Sequence, residues 1–136
     1  MSSLKVDNIT GRGNAGFTGS VKSEGGNTTT DLQQGLAKAW INLNGTGTIA
    51  TRDSFNISST TDNGAGDYSA TVTNSFSNAN FVYSIATGYT SGGQGVHQEV
   101  REDRITSSVL GLGCFNTSNS AADSANILSN AHGDLA

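Results

Sequence analysis

Alternation of apolar and polar residues dominates the chain from residue 40 onward. One polar residue separates Phe55 from Ile57, and Tyr68, Ala70 and Val72 are spaced in the same way. A period of two places alternate side chains on one face of an extended strand. Clusters of Gly, Asn, Asp and Ser interrupt these runs roughly every ten residues and favour turns. The pattern therefore predicts short strands joined by tight turns.

The second half of the chain continues this pattern. Phe81, Tyr83 and Ile85 alternate and are predicted to point inward, while the apolar run 109–115 is predicted to be a buried strand. Residues 126–131 are predicted to close the sheet. Because turn signals recur without helices between them, we expect an all-β, jelly-roll-like antiparallel β-sandwich.

One short N-terminal helix is predicted within residues 30–40. Leu32, Leu36 and Trp40 are spaced four residues apart, which places them on one face of a helix. That face is expected to pack on the core. Gly35 weakens the helix by about 1 kcal/mol relative to alanine, so we expect one to three turns at most.

Aromatic residues make up only 7% of the chain, so their positions carry information. We expect Trp40, Phe55 and Phe81 to be core anchors. The alternative for Trp40 is an exposed ring on which a sugar stacks. Tyr89, in the glycine-containing segment 88–95, is predicted to be an exposed surface contact.

Residues 1–30 are expected to form an anchoring and assembly arm, and residues 31–136 the sandwich domain. The arm holds few apolar residues, among them Leu4, Val6 and Ile9. So little apolar surface does not offset the conformational entropy of folding alone. We therefore expect the arm to dock on a neighbouring subunit or a larger assembly.

Composition and charge exclude several classes of function. The chain has 18 Gly, no Pro and 13% charged residues, and the absence of Pro argues against disorder. The net charge is −4 and the seven basic residues are scattered, which argues against nucleic-acid binding. No apolar stretch is long enough for a membrane-spanning helix, and the first residues lack the apolar core of a signal peptide. We expect synthesis in a cytoplasm without secretory export.

The candidate metal ligands are few. His97 and Glu99 share a strand face, and Asp103 follows closely, but a solvated strand with ion pairs is the stronger interpretation. In a trimer, His97 or His132 near the three-fold axis would occur three times, so a three-histidine site remains an alternative. The segment 62–67 resembles half of a calcium loop, yet a hairpin with positive φ at its glycines explains it better. No metal or cofactor is therefore predicted.

Nothing in the sequence marks a catalytic centre. Cys114 lies in an apolar run and is expected to be an inert buried thiol. Glycan hydrolysis needs two positioned carboxylates, and no pair stands out. We therefore expect a protein that is not an enzyme.

Four short segments follow one another along the chain: Ala37-Lys38-Ala39-Trp40, Ser54-Phe55-Asn56, Asp62-Asn63-Gly64-Ala65-Gly66-Asp67-Tyr68 and Asn78-Ala79-Asn80-Phe81. In this order they resemble a module of tail-fibre and other virion structural proteins of phages, especially those infecting marine bacteria and cyanobacteria. The resemblance covers residues 35–87 well, residues 3–9 resemble the opening of many such proteins, and the part after residue 88 matches only loosely.

The resemblance implies a homotrimeric surface appendage of a bacteriophage: a short fibre, a spike or a capsid decoration. Residues 1–30 would attach it to capsid, tail or a larger fibre, and its location would be the virion surface. Adhesion to a host cell-surface glycan is a further expectation. The alternative function is a carbohydrate-binding module, and a glycan-degrading enzyme ranks last.

Overall fold

The computed structural model describes residues 20–22, 29–88 and 96–136. The chain divides into two compact units, Met1–Leu36 and Ala37–Ala136. Most of the predicted arm and Tyr89 lie outside the described residues.

The described part of the first unit contains two strands and one helical turn. Strand β1 (Ser20–Lys22) pairs antiparallel with β2 (Thr29–Asp31), and α1 (Leu32–Gly35) follows directly. The helix is shorter than the spacing of Leu32, Leu36 and Trp40 suggests, because it ends at Gly35 and Trp40 already belongs to a strand. The predicted common helical face of these three residues is therefore wrong: glycine is a poor helix former, and the strand alternation takes over.

The second unit is an antiparallel β-sandwich of eight strands, which confirms the predicted all-β fold. The first sheet has the order β4-β3-β10-β7, and the second has the order β5-β6-β9-β8. One 3-10 turn, Glu102–Arg104, lies between β8 and β9. The strands are β3 (Ala39–Asn44), β4 (Ala50–Phe55), β5 (Ile57–Gly64), β6 (Asp67–Val72), β7 (Val82–Thr87), β8 (Val96–Val100), β9 (Val109–Asn116) and β10 (Ile127–His132).

The chain passes from β4 in the first sheet to β5 in the second through Asn56 alone. Asn56 has φ 59°, a left-handed conformation that asparagine tolerates better than most residues. Its Nδ2 donates to the carbonyl oxygens of Lys38 (2.9 Å) and Asn74 (3.1 Å), and its Oδ1 accepts from the backbone N–H of Asn74 (2.8 Å). The side chain thus fixes this crossing between the sheets.

The core lies between the two sheets and follows the predicted alternation. Tyr83 and Ile85 are partly buried and pack against it, as does Phe81, whose ring stacks on Phe76 with centroids 4.1 Å apart. The fully buried apolar residues are Ala39, Ile41, Leu43, Tyr68, Ala70, Val72, Phe76, Leu110, Leu112, Cys114, Ile127 and Ala131.

Two of the three expected core anchors are not in the core. Trp40 is 36% exposed and Phe55 is 53% exposed. The core prediction for these two residues is wrong because a strand cannot point neighbouring side chains to the same side. Ile41 and Leu43 occupy the inward positions of β3, so Trp40 must face out.

Candidate interaction surface

Trp40 and Phe55 lie side by side on the side of the first sheet that points away from the core, called here the outer face. They are direct cross-strand partners on β3 and β4. Pairing of β3 with β10, and of β10 with β7, places further side chains on the same side. The outer face consists of Phe55, Trp40, Asn130 and Ser84 in one row, Asp53, Asn42, Leu128 and Ala86 in the next, and the pair His132 and Val82 at the ends of β10 and β7.

Large apolar side chains stand exposed on the outer face. Besides Trp40 and Phe55, Leu128 is 41% exposed and Val82 is 72% exposed. A solvated face of an antiparallel sheet normally carries polar residues, whereas clustered apolar side chains mark interaction sites. The outer face therefore has the composition of a contact surface.

A shallow groove of about 510 Å³ runs along the outer face. Trp40, Leu128 and Ala86 contribute its apolar lining, and Asn42 and Asn130 its amides. The Asn130 Oδ1 accepts from Ser84 Oγ at 3.1 Å. These hydrogen-bonding groups are held in place before any partner arrives.

Charge on the outer face is low and balanced. Asp53 supplies a carboxylate to this face, and its Oδ1 accepts a hydrogen bond from the backbone N–H of Ser54 at 2.8 Å. The guanidinium of Arg52 reaches the same face, where its Nη1 lies 3.3 Å from Asn42 Oδ1. A partner of either net charge that presents an apolar surface can approach such a face without strong repulsion.

The opposite side of the sandwich differs in character. On the second sheet, Ser59 faces Thr71 and Thr61 faces Ser69 across β5 and β6. Asn63 Nδ2 donates to Ser69 Oγ at 2.9 Å, which continues the polar surface. Small polar side chains of this kind are the usual composition of a solvated sheet face.

A buried carboxylate anchors the second sheet. Asp67 is only 9% exposed and accepts two hydrogen bonds from Arg104, from Nε at 3.2 Å and Nη2 at 2.8 Å. Arg101 Nη2 lies 3.2 Å from the same carboxylate. Gly113 faces Asp67 across the strands, and a Cβ there would lie 2.7 Å from the carbonyl oxygen of Glu99 and 3.2 Å from Arg101 Cδ. This cluster was not predicted from the sequence.

We expect Asp67→Asn to lower the free energy of unfolding by about 2 kcal/mol, because two guanidinium groups lose their shared buried partner. Urea denaturation followed by fluorescence measures the change. Asp103→Asn is the matched control: that carboxylate is 60% exposed, and its ion pair with Arg101 is solvated, so little change is expected. Equal losses in the two variants would contradict the assignment.

The candidate metal ligands that the sequence analysis weighed are not all brought together. His97 Nε2 and Glu99 Oε1 are 3.7 Å apart, but Asp103 binds Arg101 through two hydrogen bonds of 3.1 Å. The Arg101 hydrogen bond holds the pKa of Asp103 below its usual value. His132 lies in the other sheet, at the end of β10. Within residues 34–88 and 97–136, no three His, Cys, Asp or Glu side chains form a group that could hold a metal.

Segment 62–67 is a hairpin turn, as predicted. Gly64 has φ 134° and Gly66 has φ 65°, so both glycines adopt positive φ. Asp62 Oδ1 accepts from the N–H of Gly64 at 2.9 Å, while Asp67 binds the arginines. The two carboxylates of the turn therefore serve separate structural contacts.

Buried protonated groups line the end of the sandwich near this hairpin. The Tyr68 hydroxyl donates to Asp123 Oδ1 at 2.6 Å and lies 2.8 Å from the carbonyl oxygen of Gly45. Burial, and then the bond to Asp123, raises the pKa of Tyr68. Burial also raises the pKa of the Cys114 thiol to about 12. The thiolate, the nucleophilic form, is therefore scarce at neutral pH.

No family model, no curated protein and no solved structure matches the chain. Among the described residues, no helix has the length and apolar character needed to cross a membrane.

Proposed function

We propose that this protein is a non-enzymatic structural module of a bacteriophage particle, a homotrimeric surface appendage whose copies associate through the outer face. The observation that carries the proposal is the cluster of exposed Trp40, Phe55 and Leu128 on one side of the first sheet. The virion context rests on the resemblance of residues 35–87 to phage fibre modules.

The outer face has the anatomy of a protein interface. Aromatic side chains are enriched at the centres of interfaces, and polar groups form the rim. Here Trp40, Phe55 and Leu128 are flanked by Asn130 and Ser84. Fully burying one large apolar side chain contributes about 1.5–3 kcal/mol. Trp40, Leu128 and Phe55 are 36%, 41% and 53% exposed, so burying the rest of each side chain contributes a part of that amount. Together these side chains on each copy offset part of the cost of association, which is about 4–15 kcal/mol.

Charge permits another copy of the chain as the occupant. The chain carries a net charge of −4, so most pairs of its surfaces repel weakly. On the outer face, Asp53 is accompanied by Arg52, and the centre is uncharged. Copies of this face can therefore meet around a three-fold axis without burying an unpaired charge.

Two carboxylates outside the outer face, those of Asp67 and Asp123, are committed to structural contacts, which supports a structural role. Asp67 binds Arg101 and Arg104, and Asp123 binds the Tyr68 hydroxyl. Residues 1–30 are proposed to attach the appendage to capsid, tail or a larger fibre at the virion surface.

Sedimentation equilibrium of wild type and of the double variant Trp40→Thr/Phe55→Thr tests the interface. Threonine keeps a high strand propensity while removing the apolar contact. We expect a wild-type mass of three chains and a variant that dissociates at least a hundredfold more readily. A wild-type protein that is still monomeric at about 100 µM would contradict the proposal.

The matched control is Val100→Thr/Leu135→Thr. Val100 is 41% exposed and Leu135 is 40% exposed, so their apolar exposure is comparable, but neither belongs to the outer face. We expect the control to keep the wild-type mass. Dissociation of both double variants to the same extent would remove the outer face from its assigned role.

A carbohydrate-binding module is the second candidate, because Trp40 borders a groove that also contains the amides of Asn42 and Asn130. Sugar rings stack on aromatic faces while amides bind their hydroxyl groups. A glycan array probed with wild type and Trp40→Thr separates the candidates. Glycan binding by a monomeric wild type that Trp40→Thr abolishes would favour this function over self-association.

A further inference from the structure

Three electron-pair donors converge at the free edge of the second sheet. His97 Nε2 lies 3.1 Å from Asn119 Oδ1 and 3.7 Å from Glu99 Oε1. His97 is 46% exposed and Glu99 is 55% exposed in their side chains, so the cluster is open to solvent. Both oxygens are therefore close enough to Nε2 to share one bound ion with it.

Strand geometry holds the imidazole in this position. His97 and Glu99 are two residues apart on β8 and therefore point to the same side of the sheet. Phe115 is the cross-strand partner of His97, and their rings stack with centroids 5.8 Å apart and an interplanar angle of 23°. The aromatic ring supports one face of the imidazole and leaves Nε2 directed toward Asn119.

The third donor comes from a tight, well-bonded turn. Asn116 Oδ1 accepts from the N–H groups of Ser118 (2.9 Å) and Ser120 (3.0 Å), and the Asn119 N–H donates to the Asn116 carbonyl at 3.0 Å. Asn119 has φ 58°, which this turn requires. The turn fixes its own backbone and presents Asn119 Oδ1 to His97, so the site needs little rearrangement to bind an ion.

We propose that His97, Glu99 and Asn119 form a binding site for a divalent first-row transition metal ion such as Zn²⁺ or Ni²⁺. Imidazole nitrogen combined with carboxylate oxygen suits these ions. With an ion about 2.1 Å from each donor atom, the angle at the ion would be about 95° between His97 Nε2 and Asn119 Oδ1 and about 120° between His97 Nε2 and Glu99 Oε1. Both angles lie within the range of tetrahedral and octahedral sites. Water molecules complete the coordination.

The sequence analysis weighed His97, Glu99 and Asp103 as metal ligands and preferred a solvated strand with ion pairs. The structure offers a different third donor. Asp103 is held by Arg101, and Asn119 stands at the cluster instead. The charge of Arg101 acts on Glu99 and competes with a bound ion, so the site is expected to be weaker than a buried structural zinc site. The inference does not depend on the proposed function.

Isothermal titration of the full chain, freed of metal with a chelator, tests the site directly. ZnCl₂ and NiCl₂ are expected to bind one ion per chain, and MgCl₂ is not. His97→Gln is expected to weaken Zn²⁺ binding at least tenfold. His132→Gln, which changes the only other histidine, is expected to bind as wild type does.

Variants of the turn separate ligand loss from unfolding. Asn119→Gly removes the ligand, and glycine accepts φ 58° without strain, so the fold should persist while Zn²⁺ binding weakens. Asn119→Asp supplies a charged oxygen and should tighten binding. The proposal is overturned if His97→Gln and His132→Gln lose Zn²⁺ affinity equally, or if Asn119→Gly binds Zn²⁺ as wild type does. A stoichiometry of one ion per three chains would also overturn it.

Discussion

Gly66→Ala is expected to lower the free energy of unfolding by about 4 kcal/mol, through both strain and steric overlap. Gly66 has φ 65°, in the left-handed region that non-glycine residues avoid. A Cβ there would overlap the carbonyl oxygen of Cys114 and would lie 2.6 Å from the backbone nitrogen of Ala122. The backbone cannot move aside easily, because the Gly66 N–H donates to Asp123 and its carbonyl accepts from Cys114, both at 2.8 Å.

Gly47→Ala separates these two causes. Gly47 has nearly the same φ, 63°, but no atom lies within 4 Å of its hypothetical Cβ. We expect this variant to lose only about 1–2 kcal/mol, the cost of the left-handed conformation. Urea denaturation of both variants gives the contribution of the overlap by difference. If Gly66→Ala is no less stable than Gly47→Ala, the predicted steric overlap at residue 66 is wrong.

The stability of the sandwich is expected to fall by about 4 kcal/mol between pH 9 and pH 11. Burial raises the pKa of Cys114 to about 12 and that of Tyr83 to about 12, and it raises the pKa of Tyr68 further still. Their ordinary values are 9.0 for the thiol and 10.0 for the phenols. Above those values the unfolded chain releases protons that the folded chain retains. Each such group destabilises the fold by about 1.4 kcal/mol per pH unit.

The direction follows from the raised pKa values in the folded state: the stabilisation is complete below pH 9 and is lost as the pH rises toward 12. Urea denaturation at pH 8, 9, 10 and 11 measures it. Tyr83→Phe keeps the ring but not the titrating hydroxyl, so its stability should fall less steeply above pH 10. For Cys114→Ala, the free energy of unfolding should fall less steeply than in wild type from pH 9 upward. A wild-type stability that stays constant from pH 8 to pH 11 would contradict the burial of these groups.

Local patterns predicted the strands and the hairpin well. The alternation of Tyr68, Ala70 and Val72 is the inward face of β6, and the glycines at 64 and 66 adopt the positive φ expected of a turn. Both signals act between residues close in sequence, where backbone sterics decide the conformation.

The outer face was missed because two patterns overlap at Trp40. Its four-residue spacing from Leu36 favours a helix, while Ile41 and Leu43 form a two-residue pattern that excludes Trp40 from the core. The second pattern prevails because pairing with β4 and β10 stabilises the strand on both sides. Phe55 follows as the direct partner of Trp40.

The polar contacts between residues far apart in sequence could not be predicted for a different reason. Asp67 and Arg104 are 37 residues apart, and Tyr68 and Asp123 are 55 residues apart. Such contacts depend on which strands become neighbours, and a single sequence does not specify the strand order. The same holds for Asn119, which meets His97 only because β8 pairs with β9.

The single-residue crossing at Asn56 has a mechanical consequence for the sandwich. With no loop to lengthen there, β4 and β5 cannot move apart unless the Asn56 side chain releases Lys38 and Asn74. Local opening at this margin is therefore expected to be coupled to the loss of these three hydrogen bonds and to occur as one cooperative event.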